Sequence, residues 1–476
     1  MSRNNQSHHS IQFGRPSKKS AALSEFVLAI DNLSIEGSGV GKHLGKTVFV
    51  EGAIPGEEVQ VKIDKTHKSY DQASIINIEK PSAHRIEPAC EHYQQCGGCQ
   101  LQHIEVGAQL AYKEQAVLSL LKKTVKAQPI ATIAPLTSAP LHYRRSARIG
   151  INQRKSTDTN QSIVGFRRRF SNKLLQVSKC IVLPEHISGL FDQLRQSIDQ
   201  IENAKSITHI EYQQGEEQGA LTFRCKSILK NEDIQALAQM LSTFNLQGFL
   251  RYDDKLVAIS ADKSPLYYSV DALKIAFQPG DFLQVNQDIN TQMISRAIDW
   301  LALTTTDKVL DLFSGLGNFS LPIAKRVQQL IGVEGSEDMV QRANDNAHLN
   351  QIDNCQFFQA DLASTVENQP WLNANVNKLI LDPPRSGASE LISNLFATEQ
   401  SSNISHILYV ACDPSSLARD AKQLYQLGYQ IEKFCVMDMF PNTTHIESMA
   451  LFTKATVIKT KKTAVKTNSK KKKLFA

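Results

Sequence analysis

From about residue 280 onward, near-continuous apolar runs ending in polar residues alternate with helical segments. The runs are DKVLDLF, QLIGVE, CQFFQAD, KLILDPP and HILYVACD. Between them lie stretches such as SEDMVQRANDNAHLN, where Ser336 is an N-cap and Glu337 and Asp338 fill the first turn. Strands apolar on both faces must be covered on both faces, which predicts an α/β, doubly wound parallel sheet. Such sheets bind ligands beyond the carboxyl ends of their strands. Those ends carry Phe313 with the loop SGLGN, then Glu334, Asp361, Asp382 and Cys412.

The preceding chain has a different grain. Residues 25–80 hold short strand-like runs broken by EGSGVGKHLG and IPGE, which predicts a small barrel of the OB kind. A linker leads to a cysteine cluster, a helix over 103–123, and a β-rich region over about 140–270 in which HYRRSARIGIN and SIVGFRRRF read as hairpin strands. A length of 476 residues suits roughly three domains of about 150 residues. The expected boundaries are a basic tail over 1–20, a barrel over 21–82, a β-rich central domain over 83–275, a sheet domain over 276–456 and a Lys-rich tail over 457–476.

Charge points to partners only when divided. Of 53 Lys and Arg residues, four lie in 1–20 and eight in 457–476, where there is no acid, so 41 basic residues face 47 acidic ones over 21–456. The folded body is mildly acidic, and the tails suit either solvated segments or steering toward a polyanion. No apolar run reaches the ~18 residues of a membrane span, and MSRNNQSHHS has no signal-peptide core. The expectation is a cytoplasmic protein, without a membrane or an obligate protein partner, whose eight cysteines are thiols or metal ligands.

In the glycine loop, Gly315 and Gly317 let backbone approach a ligand closely. Glu334, about 20 residues on, is placed to take ribose hydroxyls, and Asp361 to accept from an adenine amino group. The loop lacks the third glycine of the dinucleotide fingerprint, which argues against NAD and toward S-adenosylmethionine. The segment resembles a Rossmann-like class I methyltransferase, and that resemblance implies a cofactor pocket lined by Phe313, Asn318, Glu334, Asp361 and Asp382.

LDPPRSG puts a stiff loop beside the departing methyl group, with Arg385 where enzymes attacking through an exocyclic amine carry an aromatic residue. The next strand ends in Cys412. That pair suits methylation of a pyrimidine carbon: C5 of uracil is inert until a nucleophile adds to C6, and a thiolate both adds and leaves well. A base must then take the C5 proton, and Glu447 in NTTHIESMALF precedes another apolar strand. Isolated cysteines in strands are ordinarily small core residues, the reading given to Cys225, Cys355 and Cys435.

Two further constellations stand out. CEHYQQCGGC sets Cys90, Cys96 and Cys99 in a C-x5-C-x2-C array, and VSKCIVLP offers Cys180. Three clustered thiols and one distant thiol suit an iron–sulfur cluster, whereas zinc more often takes two close pairs. Arg144, Arg145, Arg148, Arg167, Arg168 and Arg169, with Phe166 and Phe170 among them, suit phosphate contacts and stacking on splayed bases.

DPPRSG, YVACDPSSLARD and FPNTTHIE together resemble the RNA uracil-C5 methyltransferases, a similarity extending over residues 25–455. The resemblance implies Cys412 as nucleophile, Glu447 as base, Gln284 of GDFLQVN at the cofactor and substrate pocket, and Phe282 as a stacking residue for the extruded base. It also implies a [4Fe-4S] cluster, with a structural or RNA-orienting role. The barrel resembles a TRAM domain, and barrel plus cysteines resembles the branch acting on 23S ribosomal RNA. Rival readings are a transfer-RNA uracil enzyme, a cytosine-C5 methyltransferase, and a non-catalytic iron–sulfur RNA-binding protein. The second usually carries its cysteine beside the prolines, where DPPRSG has none.

Overall fold

A computed structural model describes residues 25–155, 160–262, 264–364, 366 and 369–455. The basic tails lie outside them. The described residues divide into two compact units, one made of 25–88 with 100–108 and the other of 89–99 with 109–455.

The first unit is a six-stranded sheet in the order Glu25–Ala29, Glu58–Thr66, Tyr70–Lys80, Lys46–Glu51, Ser38–His43, Asn32–Leu33. It curls around Leu28, Val48, Val50, Val59, Val61 and Ile63. Closure depends on Gly41: a Cβ there would lie 2.4 Å from the carbonyl oxygen of Ala29, so only glycine lets the two strands approach. The barrel expected from the glycine-broken strands is formed.

In the second unit, a seven-stranded sheet runs Leu174–Gln176, Asn160–Arg167, Ser146–Lys155, Ile207–Gln214, Gly219–Cys225, Leu246–Tyr252, Lys255–Ala258. Helices Leu190–Gln200 and Asn231–Ser242 bury Phe191, Leu194, Leu237 and Leu241 in its core. The hairpin expected from the two arginine-rich segments pairs Gly150 with Gly165.

The eight-stranded sheet of the same unit carries the candidate site. Its order is Cys355–Gln359, Gln329–Glu334, Lys308–Leu312, Lys378–Leu381, His406–Ala411, Glu447–Lys454, Tyr429–Met437, Ala131–Thr132. The strands from 308 onward therefore stand 3-2-1-4-5-7-6 in chain order, with Glu447–Lys454 antiparallel to both neighbours. The order reverses between Lys308–Leu312 and Lys378–Leu381, a topological switch point where a crevice opens at the strand ends.

Two features cross the expected boundary at 276. Ala131–Thr132 pairs in parallel with Lys433 and Phe434 at the edge of this sheet. Hairpin Leu266–Val270 and Leu273–Phe277 buries Tyr268, Ile275 and Phe277 in the same core as Val309 and Ile380. Cys435 is fully buried there, as its place in an apolar run suggests.

Candidate active site

The site is assembled by strand register. Leu381 lies beside Tyr409 in the parallel pair, and Ala411 faces Ser448 in the antiparallel pair. One residue further along each strand come Asp382, Cys412 and Glu447. Continuing the Ala411–Ser448 register places Cys412 opposite Glu447, at the spacing of direct cross-strand neighbours. Glu447 also ends the pairing with Tyr429–Met437, facing Met437.

Local chemistry ends each strand there. Asp413 caps helix Pro414–Gln426, its carboxylate accepting from the Ser416 amide at 2.8 Å, with Pro414 as first helical residue. The helix's Arg419 donates to the carbonyl oxygen of Ser386 at 2.6 Å, and its buried Asp420 accepts from the Ala388 amide at 2.6 Å and from the Tyr409 hydroxyl at 2.7 Å. These bonds clamp the D-P-P-R-S-G loop. Gly387 is required there: its φ is +75° and a Cβ would lie 2.3 Å from Arg419. On the other side, Lys113 pairs with Asp438 at 3.1 Å and donates to the Phe440 carbonyl at 3.1 Å, while Gln109 and the Tyr143 hydroxyl hold Asn442 and the Pro441 carbonyl. The segment delivering Glu447 is thereby fixed.

The electrostatics are those of several acids sharing one cation. Burial first, then the charge of Asp382, raises the Glu447 carboxyl well above its ordinary range. Burial pushes Asp382 up to about 7. Burial, then Glu447 and Asp382, pushes the Cys412 thiol up to about 11. Arg385 opposes the rise at both Cys412 and Glu447. Its guanidinium lies 3.2 Å from Nδ1 of His445. Burial, then Arg385, Arg144 and Lys113, holds His445 below its usual titration range. A cationic ligand in this crevice lowers all three acids together.

Gln284 reaches the same place, its amide donating to Asp382 at 3.4 Å, and Phe282 in the same segment is 67% exposed. In the glycine loop, Phe313 adopts φ 70° and Gly317 φ 91°. The carboxylate of Glu334 accepts from the amides of Gly315 at 3.1 Å, Gly335 at 2.8 Å and Ser336 at 3.1 Å. Beside Phe313 opens a cavity of about 300 Å³, lined also by Leu362, Pro384, Gly387 and Arg419. Asp361 stands exposed, held by the Ala363 amide and the Ser364 hydroxyl. Asn318 instead faces inward, in a reciprocal amide pair with Asn290 at 2.9 and 3.0 Å and accepting from the Tyr268 hydroxyl at 3.1 Å. Its side chain braces the loop from beneath.

Asp311 was not singled out from the sequence. It is buried in strand Lys308–Leu312, bonded to the Ser320 hydroxyl, and pushed up to about 7 by burial. An acid inside the run KVLDL was the available signal. Asn290 and Tyr268 had none, because each is polar at a position that only tertiary pairing makes interior.

The arginines separate. Arg167 and Arg168 are exposed, and Arg144 is half-buried, bonding the Ser146 carbonyl at 2.9 Å. Arg145 corrects the expectation that it contacts substrate: it is only 5% exposed. Its Nε donates to the Gln284 carbonyl at 2.6 Å, its Nη1 bonds Gln287, and its guanidinium lies 4.5 Å over the Tyr268 ring. It holds the Phe282–Gln284 segment in place.

At the cysteines, Cys96 bridges Arg168 and the Gly97 amide donates to the Arg167 carbonyl at 2.9 Å, sewing the cysteine loop to the arginine turn. Burial raises Cys90 and Cys96 and pushes Cys180 up to about 11, and the charges of Cys96 and Cys90 add to the last. These three thiols are thus within each other's electrostatic reach. Among the described residues, however, no three or more His, Cys, Asp or Glu side chains are gathered as a metal-holding group. Cys96 and Cys180 also pack against the central hydrophobic core. Among the described residues, no helix is long and apolar enough to cross a membrane.

Comparison with known proteins places this arrangement. The family model described as tRNA (Uracil-5-)-methyltransferase matches residues 106–455, and the TRAM domain model matches residues 24–76. The chain is similar to the "23S rRNA (uracil(1939)-C(5))-methyltransferase RlmD" of Vibrio vulnificus strain YJ016, at 38% identity, covering 93% of this chain and 100% of that protein. Against the protein of the same description from Haemophilus parainfluenzae, identity is 39%, covering 92% and 99%. Among solved structures, the Pyrococcus abyssi tRNA (uracil-54, C5)-methyltransferase in complex with S-adenosyl-L-homocysteine shares the fold, with a TM-score of 0.67 at 22% identity, covering 90% of this chain and 100% of that one. A family model matching residues 106–455, with relatives of 38% and 39% identity over more than nine-tenths of the chain, shows that the chain belongs to the tRNA (uracil-5-)-methyltransferase family.

Proposed function

We propose that this RNA uracil-C5 methyltransferase acts on a uracil of 23S ribosomal RNA through a covalent adduct between Cys412 and C6. The observation that carries the mechanism is the register placing Cys412 across from Glu447 with Asp382 on the adjoining strand. The target base is swung out of its stack to expose C6. Cys412 adds there, which makes C5 nucleophilic. S-adenosylmethionine, held against Phe313, Glu334, Asp361, Asp382 and Gln284, supplies the methyl group. Glu447 takes the C5 proton and Cys412 is eliminated. Phe282, with its ring in solvent, is the candidate to stack on the extruded base. The choice of 23S ribosomal RNA rests on the relatives' descriptions over almost the whole chain.

The test is a trap. With RNA containing 5-fluorouridine and S-adenosylmethionine, the fluorine at C5 cannot leave as a proton, and the adduct persists on Cys412. Peptide mapping to another residue, or an undiminished adduct with Cys412→Ser, overturns the mechanism. Methylation of a transfer-RNA transcript in preference to a 23S transcript overturns the substrate.

The donor chemistry of Cys90, Cys96, Cys99 and Cys180 fits an iron–sulfur cluster, which would order the cysteine loop against the arginine turn. Iron and acid-labile sulfide in anaerobically purified protein, lost together in Cys180→Ala, are the expected result; zinc in their place excludes the cluster.

The arginines divide in the same experiments. Arg168→Ala weakens binding across RNA sequences and lowers the salt dependence of log K by about 1. Arg145→Met leaves that dependence unchanged and reduces kcat, because it acts through Gln284. A lowered salt slope in Arg145→Met restores it to the substrate contacts.

A further inference from the structure

We propose that Phe170 is a stacking platform for an unpaired base of the RNA, held outside the catalytic pocket by a turn built for that purpose. The inference rests on the reading of RNA as substrate.

The ring is 86% exposed, and its backbone has φ 54°. It is the third residue of a turn from Arg168 to Ser171, closed by the Ser171 amide on the Arg168 carbonyl at 3.2 Å. A positive φ at that turn position favours glycine or asparagine, and for a bulky side chain it is an outlier. Folding thus gains nothing from phenylalanine here: the backbone is strained and the ring stays in water. Phe166 behaves otherwise, meeting Phe191 at 5.7 Å against the hydrophobic core. Of the two aromatics in this arginine segment, only Phe170 is offered to a partner.

The turn is anchored from behind. The Arg169 amide donates to the Gln95 carbonyl at 2.9 Å, its guanidinium donates to the Cys99 carbonyl at 2.9 Å, and it lies 5.1 Å over the Tyr93 ring. The Arg168 amide donates to the Lys173 carbonyl at 2.8 Å. Exposed Arg167, Arg168 and Lys173 flank the ring, and the segment FRRRFSNK contains no acid. An exposed aromatic fixed between cations matches the needs of a splayed nucleotide, whose base stacks while its phosphates pair. Strained backbone conformations cluster at ligand clamps and binding sites, where the surrounding structure holds them.

Replacement by glycine separates strain from stacking. Phe170→Gly is expected to raise the melting temperature, because glycine accepts the positive φ, while weakening RNA binding by about tenfold, the loss of one base–aromatic stack. The probe is a 23S ribosomal RNA stem-loop transcript carrying the target uracil, with binding read by anisotropy. Phe170→Trp is expected to bind as the wild type does, and its fluorescence to be quenched by the transcript; the native Trp300 and Trp371 are buried and give a quiet background. Wild-type affinity in Phe170→Gly, or Trp fluorescence indifferent to RNA, overturns the proposal. Because stacking is read from binding, a transcript that is bound but not methylated by the wild type sinks the substrate reading alone.

Discussion

Cys412→Ser is expected to fold and bind S-adenosylmethionine while losing methyl transfer by roughly 10⁴-fold or more, as removal of a covalent nucleophile does. The substitution changes one atom of a half-buried side chain at the end of a strand, so packing and register survive. What changes is the chemistry. A serine hydroxyl neither ionises near neutrality nor leaves readily from C6. The pH dependence follows from the shifts already described. Cys412 must be deprotonated to add, and burial with its acidic neighbours holds it near 11, so the rate of adduct formation rises with pH. Arg385 works against those acids, and Arg385→Gln therefore moves the rise to higher pH. Stopped-flow measurement of adduct formation on 5-fluorouridine RNA gives both numbers. A Cys412→Ser enzyme within a hundredfold of wild type removes the thiol from the mechanism.

Glu447→Gln has a different signature. Elimination of the thiol needs the C5 proton gone, so methylation proceeds as far as the saturated adduct and stops. The expected result is a fall of about 10²–10⁴-fold in turnover, the usual contribution of a positioned base, together with covalent protein–RNA complex on ordinary uridine. The amide is isosteric and removes a buried charge that raises the Cys412 thiol. Adduct formation in this variant therefore begins at lower pH than in the wild type, even as product release fails. Turnover reduced without accumulated complex assigns proton removal elsewhere, and Asp382, half-buried just past the strand beside that of Cys412 and pushed up to about 7, is the group to test next.

Both expectations depend on residues whose chemistry could be read in one dimension. Strands buried on two faces leave near-continuous apolar runs, so KVLDL, QLIGVE, KLIL and HILYVA announced a parallel sheet, and the residue after each run announced itself as a strand end. Glu334, Asp382 and Cys412 were legible for that reason.

What the chain's order hides is which way a side chain faces when its partner is far away. Arg145 looked like its neighbours in HYRRSAR, yet its contacts are Gln284, Gln287 and Tyr268, all more than a hundred residues distant. Asn318 was assigned to the cofactor pocket by resemblance, and its amide is turned to Asn290 and Tyr268. Ala131–Thr132 joined a sheet whose other strands begin at 308. Periodicity determined the class of the fold and the ends where chemistry gathers, because burial leaves its mark residue by residue. Facing, pairing and the meeting of Cys412 with Glu447 were decided only in three dimensions, because register is a property of two strands and is written in neither alone.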